Sequence, residues 1–204
     1  MLRSETTITR QSFGSVPTYS VETIAPAANG TTSDTTQFYA TSGGSLLRQT
    51  MTTISANGLV KDTYTAVNGD TSWDFWTTDT TAINADGSTT ETIANNNNNG
   101  LISEKVITTS ANGLWKTTSI DANGALNSGS PVFSLTTSDD TVLNSNGSRT
   151  ETVTNTAANG ATMSQFVTTT GADGQTVTTN RYLNATGAIG HVDQTETVQT
   201  QADG

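Results

Sequence analysis

Asn68-Gly69-Asp70, with Asp74 four residues further on, is the stretch of this sequence best suited to hold a cation. Alternating side-chain oxygens beside a glycine suit a hard ion, because the backbone can wrap it without strain. Asn68, Asp70 and Asp74 are therefore the candidate Ca2+ ligands, in a loop whose two carboxylates predict weak binding. The related stretches Asp121-Ala122-Asn123-Gly124-Ala125 and Asn184-Ala185-Thr186-Gly187-Ala188 keep fewer oxygens. Ca2+ is the one candidate ion, and no organic cofactor is implied.

Close by, Trp73, Phe75 and Trp76 form the densest aromatic cluster. Strand alternation puts Trp73 and Phe75 on one face and Trp76 on the other. Aromatic rings on a flat sheet can stack on sugar rings, so these three are the candidate contacts for a surface glycan; the plainer expectation is packing between layers or units. Catalysis has less to work with. The chain has no cysteine and one histidine, His191. Thiol chemistry, disulfides and thiolate metal sites are thereby excluded, and His191 reads as a surface residue with no partner for a triad or zinc site. Asp139-Asp140, or Asp74 with Asp79, could imitate the two carboxylates of a glycosidase. Acidic residues beside threonine on strand faces are ordinarily there for solvation, and the expectation is a non-enzyme.

The elements that must position these groups are read from punctuation. Asn-Gly or Asp-Gly closes one short alternating run after another, among them Asn29-Gly30, Asn57-Gly58, Asp86-Gly87, Asn112-Gly113, Asn146-Gly147 and Asp173-Gly174. Such dipeptides predict type I′ hairpin turns with both residues central, since Asn tolerates positive φ and Gly adopts it freely. Val106–Gly124 shows the device twice in succession. The runs between turns alternate with period two and are rich in β-branched threonine, and no run carries apolar residues at helical spacing. Consecutive strands joined by tight turns must be antiparallel neighbours.

The turns also repeat. Thr53–Leu59, Thr108–Leu114 and Thr169–Gln175 align on Gly58, Gly113 and Gly174, spacings of 55 and 61 residues. Ile83–Ile93 aligns with Leu143–Val153 at an offset of 60, as Gly100 does with Gly160. Self-similarity at such a period means stacked supersecondary units. The expectation is one all-β array over residues 1–204: an antiparallel hairpin meander with about four strands per unit, in units 1–58 (divergent), 59–113, 114–174 and 175–204 (partial). A β-propeller or a β-roll or spiral shell could be built from the same hairpins. The link between units, Ser-Ala-Asn-Gly, is as tight as the turns within them and favours the meander. The sequence stops halfway through a unit, which predicts an array that continues.

Composition narrows the partners. Only 32% of residues are hydrophobic, too few for a thick core, so a thin sheet held by threonine pairs is expected. The net charge of −10 argues against nucleic acid and anionic membrane surfaces, and favours divalent cations. No apolar run nears the roughly 20 residues needed to span a bilayer, and Met1–Ser4 is not followed by the apolar stretch of a secretory signal.

Thr108–Gly113, Asp121–Gly124, Asn144–Val153 and Ala172–Gly174 resemble the repeats of long secreted bacterial proteins of the haemolysin-type (RTX) calcium-binding and adhesin group. The resemblance covers Ser45–Gly204 well and the first forty residues poorly; the glycine-rich nonapeptide that carries calcium in that group is absent here. It implies an extracellular spacer or adhesive array. The function expected is a structural or adhesive module of a bacterial surface, matrix or fibre-forming protein, partnered by other copies, by flanking repeats of the same chain or by surface glycans. The second reading is a glycan- or Ca2+-binding module.

Overall fold

The computed structural model describes residues 5–13, 16–127, 129–183 and 192–200. Fourteen strands follow one another as antiparallel hairpins in a single open sheet, each hydrogen-bonded to its neighbours in chain order. This is the meander, in place of the separate four-stranded blades of a propeller. Among the described residues there is no helix, as expected where threonine dominates and helical periodicity is missing. Contacts group the chain into two units, Met1–Ala82 with Glu91–Glu104, and Ile83–Thr90 with Lys105–Gly204.

In the first unit β1 (Glu5–Phe13), β2 (Val16–Pro26), β3 (Thr32–Tyr39), β4 (Leu46–Ile54), β5 (Val60–Ala66) and β6 (Phe75–Ile83) are followed by most of β7 (Thr89–Asn97) and the start of β8 (Gly100–Thr109). Register partners share a face, and here they build polar rows. Asp34, Thr52, Thr63 and Thr77 align across four strands. The row then runs on as Thr77 Oγ1 donates to Asn95 Oδ1 (2.7 Å) and Asn95 Nδ2 to Ser103 Oγ (3.0 Å). The opposite face carries Tyr39 beside Tyr19, and Met51, Tyr64 and Trp76 in one row. Tyr39 donates to Gln37 and Gln37 to Gln49, which is itself buried. Among the described residues of the chain, the only buried hydrophobic one is Ala66. A sheet so poor in core rests on its backbone ladders and on cross-strand pairs contributing about 0.2–1 kcal/mol each.

The second unit contains β9 (Trp115–Asp121), the short hairpin β10 (Leu126–Asn127) and β11 (Ser130–Pro131), then β12 (Leu135–Leu143), β13 (Arg149–Ala157), β14 (Thr162–Thr170), β15 (Thr176–Tyr182) and β16 (Gln194–Gln199). Thr150, Thr169, Thr178 and Thr197 align over four strands. Thr137 donates to Asn155 and Asn155 to Ser164, the same rung as Thr77–Asn95–Ser103. Alternation in the sequence predicts a strand over Val132–Leu143; the structure starts it at Leu135 and sets before it the β10–β11 hairpin, whose two-residue strands leave no periodicity to detect.

The turns differ from the expected type I′. At Ser55-Ala56-Asn57-Gly58 the Gly58 N–H donates to the Ser55 carbonyl (2.9 Å), so the central residues are Ala-Asn and the glycine stands fourth, at φ 72°. The same bond, glycine to the carbonyl three residues before, closes the turns at Gly30, Gly87, Gly113, Gly147, Gly160 and Gly174. This is a type I turn followed by a left-handed residue, the usual core of three- and four-residue hairpin loops. Asparagine is chosen for its side chain: Asn57 Oδ1 accepts the Leu59 N–H (3.1 Å), a closure that needs only an oxygen.

Aspartate therefore serves as well as asparagine, and the chain contains both versions of one turn. Asp86 accepts the Ser88 hydroxyl (2.6 Å) and N–H (2.9 Å); Asn146 accepts the Ser148 hydroxyl (2.7 Å) and N–H (3.0 Å). The Ser88 hydroxyl, then its N–H, hold the Asp86 carboxyl below its ordinary value of 3.8. A carboxyl depressed by folding contributes stability that is present above its unfolded pKa and is lost as pH falls through the folded one. On acidification from about pH 5 to about pH 2, the amide resonances of Gly87 and Ser88 should shift while those of Gly147 and Ser148 stay still. Asp86→Asn should abolish the difference; matched titration of both turns would reject it.

Candidate functional site

The predicted calcium loop leaves β5 at Ala66 and returns at Phe75. Asp74 closes it: Oδ2 accepts the Val67 N–H (2.8 Å), Oδ1 the Asn68 carboxamide (2.9 Å), and its own N–H donates to the Thr65 carbonyl (2.9 Å). Asp70 Oδ1 accepts the Ser72 N–H (2.9 Å). Three of the four carboxylate oxygens are thus engaged by N–H donors, and Asn68 turns its amino group toward Asp74. Ca2+ takes 6–8 oxygens, and this donor set does not fit it. Among the described residues no three Asp, Glu, His or Cys side chains converge as a metal cluster. The carboxylates work as loop closures, the same Asx chemistry as the hairpin turns.

The aromatic trio is divided differently from the sequence reading. The strand begins only at Phe75, so alternation does not extend back to Trp73. The Trp73 ring lies 5.5 Å from Tyr64, tilted by 42°, and Tyr64 is the register partner of Trp76. Trp73 and Trp76 thus flank Tyr64, both half-buried. Burial raises the Tyr64 phenol above its ordinary value, and the Asp62 carboxylate adds to the shift. Phe75 takes the other face, paired with Thr65 and 46% exposed.

Phe75 joins the loop in a cleft instead. Val67, Asn68, Asp74 and Phe75 form one side and Asn97, Asn98 and Asn99 of the β7–β8 turn the other, around an open volume of about 330 Å3. The run Asn95–Asn99 reads from sequence as a polar hairpin loop. What the sequence does not reveal is that its last three residues come to stand beside Phe75. Asn97 fixes the turn by accepting the Asn99 N–H (2.8 Å).

The carboxylate pairs separate. Asp139 and Asp140 are successive residues of β12 and point to opposite faces, one opposite Lys116, the other opposite Trp115. Asp79 is the register partner of Lys61, whereas Asp74 stays in the loop. His191 and the stretch Asn184–Ala188 lie outside the described residues. No family model and no curated protein matches the chain.

Proposed function

We propose that the chain is a non-enzymatic structural or adhesive β-repeat module of an extracellular bacterial surface, matrix or fibre-forming protein. The observation that carries this reading is a sheet in which the strands are bound to their neighbours by backbone ladders, with threonine–asparagine rungs between some of them, while among the described residues almost no hydrophobic core is buried. Stability then comes from nearest neighbours, so such a sheet can be lengthened unit by unit, and its use is reach and repeated display. Absent cysteine and a charge of −10 suit a soluble secreted array. The resemblance to long secreted repeat proteins points the same way.

The partner proposed is another copy of the module or a flanking repeat of the same protein. β1 and β16 stand at the two ends of the strand order, each with one neighbour, and an edge strand is a template for further pairing. Like charge opposes association, and salt weakens that repulsion: the Debye length falls from about 30 Å at 0.01 M to about 3 Å at 1 M. Light scattering at about 1 mM protein should therefore show association that grows with salt. A strict monomer at both salt concentrations would reject the partner.

A further inference from the structure

The cleft beside Phe75 combines features that the sheet has no need of. Val67 and Phe75 leave 48% and 46% of their surface exposed, as other large apolar side chains of this sheet do; what sets these two apart is the amides that stand beside them. Around them stand four carboxamides, Asn68, Asn97, Asn98 and Asn99, and one carboxylate, Asp74. A carboxamide carries both donors and acceptors. Asn68 commits its amino group to Asp74, leaving its oxygen as an acceptor; Asn97 commits its oxygen to the Asn99 N–H, leaving its amino group as a donor. The lining has no Lys, Arg or His, so an anionic ligand would meet Asp74 uncompensated. Asp74 itself is engaged through both oxygens, so no cation is called for. The volume, about 330 Å3, is at the small end for ligand sites.

An apolar patch ringed by neutral groups that both donate and accept matches one chemical class. A sugar ring presents a face of C–H bonds to an aromatic ring and an equator of hydroxyls that also donate and accept. We infer that this cleft binds a neutral sugar ring, with Phe75 and Val67 against its C–H face and Asn68, Asn97, Asn98 and Asn99 around its hydroxyls. The site is local to the first unit. The corresponding residues 60 positions on are Leu135 for Phe75 and Ala157-Ala158-Asn159 for Asn97-Asn98-Asn99, so the second unit has neither the ring nor the row of amides. The inference stands on this cleft alone and is independent of the module reading.

The second unit also supplies substitutions that a hairpin of this chain already accommodates. Phe75→Leu and, separately, Asn98→Ala copy its residues into the first; Asn97 is kept, because its Oδ1 closes the β7–β8 turn through the Asn99 N–H. The probes are D-glucose, D-galactose, D-mannose and N-acetyl-D-glucosamine, with D-glucuronic acid as the charged counterpart. Binding is read by saturation-transfer NMR and by titration of the Asn97–Asn99 amide resonances. At least one neutral sugar should bind saturably with a Kd of roughly 1–10 mM, and each variant should weaken it about tenfold. Glucuronic acid should bind more weakly than glucose. Absence of saturable binding by every neutral sugar, binding unchanged in both variants, or a preference for the charged sugar would each overturn the assignment.

Discussion

Gly69→Ala should lower the stability of the first unit by roughly 2–4 kcal/mol. Gly69 has φ 74°, where a side chain is strained, and a Cβ there would stand 2.7 Å from the Leu46 carbonyl oxygen. That oxygen belongs to the backbone at the start of β4 and cannot swing aside as a side chain would. The loop from Val67 to Asp74 would have to lift, straining the closures that Asp74 makes to the Val67 N–H and the Asn68 carboxamide. Gly58 is the internal control. Its φ is 72°, but nothing lies within 4 Å of its would-be Cβ, so Gly58→Ala should cost only the conformational strain, about 1 kcal/mol. Denaturant unfolding followed by tryptophan fluorescence reads the difference, since Trp73 and Trp76 both belong to this unit. Equal losses at the two positions would show that the loop does not press on Leu46.

The contrast between those glycines also marks how far the sequence could be read. Strand order was legible because it depends on features with a strong local signature: β-branched alternation, and an Asn-Gly or Asp-Gly at most reversals, Ser42-Gly43-Gly44 between β3 and β4 being an exception. β4, Leu46–Ile54, has the bounds that alternation alone assigns it. Turn class was not legible from the dipeptide. Asn-Gly suits the centre of a type I′ turn and the last two positions of a type I turn equally well, and here the glycine N–H goes to the carbonyl three residues before it. Ser55 and Ser110 receive the glycine N–H on their carbonyls, and their hydroxyls accept the Val60 and Trp115 N–H groups. The site failed for a related reason. Period-two reasoning assigns a face only inside a strand, and Trp73 lies two residues before one. Phe75 begins β6 and Asn97 ends β7, so the hairpin that joins Thr77 to Asn95 also brings these two together, a proximity that depends on its register as well as on strand order.

Burial of a single polar residue was illegible too, and it carries the other large effect. Asp121 ends β9 and is 1% exposed. Its Oδ1 accepts the Asn123 N–H (3.0 Å), while Oδ2 is buried with no hydrogen-bond partner among the described residues. The following chain returns to the end of the strand, where the Ser134 N–H and hydroxyl both donate to the Ile120 carbonyl. At the corresponding end of β5, 55 residues earlier, the position is Ala66, with 0% exposure. The fold thus accepts a small apolar residue where the second unit keeps a half-satisfied acid. Leaving a buried polar atom unpaired costs about 1–3 kcal/mol, more when it is charged. Asp121→Ala copies Ala66 and removes the unpaired oxygen at the loss of a bond worth about 1 kcal/mol, so it should raise the stability of the second unit by about 1–2 kcal/mol. Asp121→Asn has nearly the same shape and retains the acceptor for Asn123, but it puts an equally unpaired carboxamide amino group where Oδ2 stood, so it should gain less. Thermal unfolding in the presence of a chelator compares the three proteins without a cation to complicate the carboxylate. Destabilisation by both substitutions would mean that Asp121 is held by interactions beyond the Asn123 N–H, and the strain assigned to it would be withdrawn.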